Sequence, residues 1–64
     1  MNRKDLNVGD EVLVQFPGIV GRPRRCEVVS LAKQPLWPTA VTVMTPWGKE
    51  QRISARCILA KAIR

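Results

Sequence analysis

An all-β fold is predicted: five short strands in a small, strongly bent barrel, with one short helical turn before the last strand. Three observations lead to it. Apolar residues alternate with a period of two along Glu11–Phe16, two proline-rich connections interrupt the middle of the chain, and Thr42–Ile53 reads as a hairpin. Residues 1–64 are expected to form a single domain, because a chain of about 60 residues buries only roughly 60% of its unfolded surface and supports one modest core.

Met1–Asn7 is polar, with Arg3 and Lys4 beside Asp5, and reads as an N-terminal arm (residues 1–7) that Leu6 and Val8 pin to the body. Val8-Gly9-Asp10 turns into the first strand, where Val12, Val14 and Phe16 face a core and Leu13 faces the other side. Pro17–Pro23 holds two prolines and two glycines in seven residues. That density breaks ladder pairing and predicts a long loop, with Ile19 and Val20 tucked beneath it. Arg24–Leu31 resumes strand character, with Cys26 and Val28 on one face and Glu27 and Val29 on the other. Ala32–Thr39 is a second loop, carrying Pro35 and Pro38 around Leu36 and Trp37.

In the hairpin that follows, Val41 and Val43 face one side, Thr42 and Met44 the other. Pro46 fixes φ at the first central turn position, and Gly48 supplies the left-handed residue that a short hairpin loop needs. Trp47 is thereby placed at the tip. Ser54-Ala55-Arg56 reads as one tight turn and Cys57–Ile63 as the closing strand. The competing reading is a helix capped by Ser54, since Ala55, Leu59, Ala60, Lys61 and Ala62 are good helix formers and Ile53, Cys57 and Ala60 fall at helical spacing. A strand is preferred because a fifth one closes the sheet and removes an edge.

Eleven Lys and Arg against five Asp and Glu leave a net charge of +6, which points to anionic partners, nucleic acid first, although solubility alone also uses charge of this size. A hydrophobic share of 45% excludes intrinsic disorder. Cys26 and Cys57 have no second Cys or His at ligand spacing, so neither a metal nor any other cofactor is expected. Both thiols are expected reduced and packed as small apolar groups. No apolar leader and no run near the roughly 20 residues of a membrane span occur, so no membrane association and a cytoplasmic location are expected.

Val8-Gly9-Asp10-Glu11-Val12-Leu13-Val14 is similar to the opening of KOW, Tudor-like and retroviral integrase C-terminal domains, and the order of elements resembles the SH3-like barrels. The resemblance implies a five-stranded SH3-like barrel. In the integrase group a Trp-containing loop and a basic hairpin also recur. The chain departs from the signalling SH3 domains in lacking their acidic loop and aromatic row, and from methyl-lysine-binding Tudor domains in lacking an aromatic cage; it has no Tyr.

Catalysis is not expected. With no His, no Tyr and no nucleophile beside a general base, the common acid–base and triad solutions are absent. Asp10 and Glu11 are expected to point to opposite faces at a strand entrance; Glu27 and Glu50 could meet across strands, but pairing of each with Arg24, Arg25 or Arg52 at the surface is the preferred expectation. Arg22-Pro23-Arg24-Arg25 sets three guanidinium groups at a loop exit, where the planar fork suits phosphate; the plainer reading is a solvated charge run. Lys49 and Arg52 flank Trp47, so a base can stack on the indole while the cations hold the backbone. Trp37, framed by prolines, is expected to cap the barrel end as core, and Pro35–Pro38 also fits a PxxP pattern.

The expected function is a small basic, non-catalytic nucleic-acid-binding accessory or regulatory domain. Arg22, Arg24, Arg25, Lys49 and Arg52 would hold phosphates and Trp47 would stack. The alternative is a protein-interaction adaptor that docks the same Arg/Trp surface on an acidic partner or self-associates through a strand edge. A third reading is a subunit whose Leu13, Val29 and Met44 are covered in a larger assembly.

Overall fold

The computed structural model describes residues 2–62. Five antiparallel strands, β1 (Glu11–Val14), β2 (Arg24–Ser30), β3 (Ala40–Met44), β4 (Glu50–Ser54) and β5 (Ile58–Lys61), form one sheet in the order β4-β3-β2-β1-β5. A 3-10 turn at Arg3–Asp5 precedes them, and a second at Ala55–Cys57 joins β4 to β5. The segment after that turn is strand, not helix. Ser54 does cap, but it caps the 3-10 turn, its Oγ accepting the Arg56 N–H at 3.3 Å. Met1 of the expected arm and Ile63 of the expected last strand lie outside the described residues.

β4 and β5 are the two outer strands, yet only the three residues of the second 3-10 turn separate them. Four residue steps reach at most about 14 Å. Four strand spacings in a flat sheet would hold the same strands about 19 Å apart. The sheet is therefore strongly curled around the core. Two irregularities in the ladders, between Leu13 and Val14 on β1 and between Val28 and Ser30 on β2, are where strand bending is concentrated. No ladder joins β4 to β5 among the described residues, so the curl stops short of a hydrogen-bonded barrel.

Alternation decides which side chains enter the core. Val12 and Val14, Cys26 and Val28, Val41 and Val43, then Ile53 and Ile58 are all buried. Across the ladders Val12 faces Cys26, Val41 faces Ile53 and Val14 faces Ile58. Each such side chain contributes about 1.5–3 kcal/mol of burial. Phe16, beyond the end of β1, and Leu6 complete the cluster.

Leu6 anchors the N-terminal segment, and Arg3 ties it down a second time. The Arg3 Nε donates to the Ala40 carbonyl at 3.0 Å, and its guanidinium also donates to the Leu31 carbonyl. Val8, 62% exposed, takes no part in that anchoring. Ile19 and Val20 likewise do not tuck beneath their loop. The Ile19 N–H closes a tight turn onto the Phe16 carbonyl at 3.2 Å, with Pro17 and left-handed Gly18 (φ 79°) at its centre, and Val20 is left 95% exposed.

Candidate nucleic-acid interface

The β3–β4 hairpin holds its loop with a buried threonine. Thr45 N–H and Oγ both donate to the Lys49 carbonyl, at 2.9 and 2.8 Å, and Oγ accepts the Lys49 N–H at 3.1 Å. Three residues, Pro46, Trp47 and Gly48, remain to make the bend, with Gly48 at φ 86°. This is the loop form in which a left-handed glycine restores the ladder. Trp47 then folds back over the end of β1. Its ring centroid lies 5.4 Å from that of Phe16 at an interplanar angle of 53°, a tilted pair of the kind worth about 0.5–1.5 kcal/mol, and 48% of Trp47 stays exposed.

That contact joins the β1–β2 loop to the β3–β4 hairpin. Arg22 lies in the first and Lys49 at the base of the second, both exposed. Arg24 sits opposite Val14 at the start of β2, and the pairing of Glu27 with Met44 carries it to the level of the hairpin loop. Arg22, Arg24, Trp47 and Lys49 thus share one end of the sheet. Among the described residues none of these three cations has a carboxylate within 4 Å.

Arg25 and Arg52 are placed elsewhere. Strand alternation turns Arg25 onto the outer face, opposite Leu13, where its Nε lies 3.6 Å from Glu11 Oε2. The register lines up Glu11, Glu27, Met44 and Glu50 across four strands of that face. Glu11 and Glu27 face each other directly, a destabilising like-charge pair that the diagonal Arg25 offsets. Glu11 and Glu27 beside Arg25 make the β1–β2 part of this face a poor phosphate site, whereas Arg52 shares the outer face of β4 with Glu50 alone. Arg52, opposite Thr42, points its guanidinium toward Gln34, with 3.5 Å between Nη1 and Oε1.

Trp37 does not cap the core. Two consecutive turns, closed by Trp37 N–H to Gln34 O and Ala40 N–H to Trp37 O, each at 3.1 Å, pin its backbone and leave the indole 40% exposed. Pro35 and Pro38 occupy the second positions of these turns, which is where proline presets φ. The indole borders a shallow hollow of about 230 Å³ with Pro17, Gln51, Arg52, Ile53, Ser54 and Cys57. A second, polar hollow of about 420 Å³ adjoins it, lined by Ser30, Gln34, Thr42, Glu50, Gln51 and Arg52. Sequence reasoning missed this region because nothing local says which loop packs beside β4.

The two thiols differ. Cys26 is buried, and that burial raises its pKa above the ordinary value, leaving a neutral thiol directed at the Arg24 carbonyl at 3.8 Å. Cys57 is half-buried and borders the Trp37 hollow. Among the described residues no group of three or more His, Cys, Asp or Glu could hold a metal ion. No protein-family model, curated protein or solved structure matches this chain.

Proposed function

We propose that this chain is a small basic, non-catalytic nucleic-acid-binding domain of SH3-like barrel type, an accessory or regulatory factor that grips the phosphate backbone and stacks a base on Trp47. One observation carries the reading: the Phe16–Trp47 contact seats a half-exposed indole at the end of the sheet that carries Arg22, Arg24 and Lys49, and among the described residues none of these cations has a carboxylate within 4 Å. Cations beside an exposed aromatic ring are the means by which sequence-tolerant nucleic-acid binders gain affinity. The strand order and the 3-10 turn before β5 support the SH3-like arrangement. Arg52 adds a fourth phosphate contact along β4, and Arg25, held by Glu11, adds none.

Four contacts correspond to a slope of log K against log salt of roughly −3 on a single strand and roughly −4 on duplex. Arg24→Ala is expected to reduce that slope by about 1 and Arg25→Ala to leave it unchanged, measured by fluorescence anisotropy of a labelled oligonucleotide. A flat salt response, or equal losses from both variants, would overturn the reading. The adaptor reading draws on a different observation, the 99% exposure of Leu36 at its turn apex. Binding to a partner protein that is lost in Leu36→Ala, with no binding of oligonucleotide, would favour it.

A further inference from the structure

We infer that the ligand is an unpaired strand, held at two indoles rather than one: it runs beside β4 from Trp47 to the hollow under Trp37, where a second base is received. This rests on the nucleic-acid reading above. The placement comes from consecutive residues. Phe16 carries the Trp47 ring, and the next residue, Pro17, lines the Trp37 hollow. The same two sites are also linked through β4, whose start follows Trp47 and Lys49 and whose residues Gln51–Ser54 line that hollow. Five residues of extended chain cover about 16 Å, so the two indoles serve one short stretch of ligand.

The chemistry of the two hollows divides the work. The one beside Trp37 is bordered by Pro17, Ile53 and Cys57, and at about 230 Å³ it is below the roughly 300 Å³ at which pockets begin to enclose drug-sized molecules. A single planar ring suits it. Its polar neighbour offers the side-chain amides of Gln34 and Gln51 and the hydroxyls of Ser30 and Thr42, which donate to and accept from base edges. Arg52 belongs to both hollows and, with Lys49, supplies positive charge along the strand. A duplex cannot use these sites, because its bases are stacked on one another and show no free face.

The test uses the whole chain in two single-tryptophan forms, Trp47→Phe to read Trp37 and Trp37→Phe to read Trp47. Emission is titrated with oligo(dT), oligo(rU) and a duplex of equal length at low salt. Both indoles are expected to be quenched by the single strands, and Trp37 not by the duplex; the two single strands report whether the sugar matters. The Cys57 thiol gives an independent footprint, since Cys26 is buried: bound single strand is expected to slow its alkylation. Trp37→Ala should weaken single-strand binding about 5- to 150-fold, the factor equivalent to roughly 1–3 kcal/mol of stacking per base. Circular dichroism confirms that each variant stays folded.

Quenching of Trp47 alone, with duplex bound as tightly as single strand, would overturn the two-indole path and leave the phosphate-binding reading standing. No binding of either form at low salt would remove both. A concentration-dependent shift of Trp37 emission without oligonucleotide would assign the hollow to a second copy of this chain and overturn the inference.

Discussion

Arg24 and Arg25 are neighbours in sequence with opposite fates. One faces the hairpin end, with no carboxylate within 4 Å among the described residues, and the other is held at Glu11 on the outer face. That division was legible in principle, since period-two alternation sends successive side chains to opposite faces, but a run of like charge reads as one cluster until the strand is known to begin at Arg24. Trp37 was not legible. Its exposure depends on Pro17 and β4, both distant in sequence, whereas the fate of Trp47 followed from Pro46 and Gly48 beside it. Asp10 shows how a single group couples to pH. Its Oδ2 accepts the Asn7 N–H at 2.8 Å and lies 3.3 Å from Lys61 Nζ; the backbone hydrogen bond first, then Lys61, hold its pKa below the ordinary 3.8. A carboxylate with a depressed folded pKa stabilises above its unfolded value, and that contribution is lost as pH falls through the folded one. Asp10→Asn should therefore lower the urea midpoint at neutral pH and narrow its difference from the midpoint near pH 3. An unchanged pH dependence would remove Asp10 as its source.

The strands were the most readable elements because their boundaries are chemical. Glycine and proline stop β1 and frame β2, and the Pro46–Gly48 loop fixes the β3–β4 register, so Ala40 meets Ser54 and Met44 meets Glu50 without a slip. The turn before β5 was readable from Ser54, and strand was preferred over helix because a fifth strand would close the sheet; β5 does pair with β1, but β4 and β5 remain the outer strands. The direction of the loops was less so: the tight turn at Phe16–Ile19 sends Val20 outward, and only the assembled sheet reveals that Phe16 lies beneath Trp47. Phe16 is thus the joint between the first connection and the hairpin. Phe16→Leu keeps an apolar side chain in the core but removes the ring partner, so a cost of about 1–2 kcal/mol is expected in chemical denaturation. Trp47 emission should shift to the red as the indole loses its support, and oligonucleotide affinity should fall although no cation has changed. A red shift absent in the folded variant would show that the hairpin tip holds its position alone.

Curling the sheet does more than enclose a core, because it decides how the +6 charge is distributed. Asp10 and Glu11 meet Lys61 and Arg25 near the β1–β5 side, and Arg3 is spent on backbone carbonyls. Among the described residues no carboxylate lies within 4 Å of Arg22, Arg24 or Lys49, so net positive charge is left at that loop end of the sheet. Composition gave the total; only the register told which cations were already neutralised. Like charges held together without counter-ions repel, so the arrangement that attracts an anion also costs stability in its absence. The triple variant Arg22→Ala, Arg24→Ala, Lys49→Ala tests both sides at once. Oligonucleotide binding should be lost at moderate salt, while the melting temperature at low salt should rise or hold. Raising salt from about 50 to 200 mM should stabilise the parent chain more than the variant, because screening relieves repulsion that the variant no longer has. A variant that loses binding and also melts lower at every salt concentration would mean that these side chains hold the loops together, and the charge at this end would then be structural rather than reserved for a ligand.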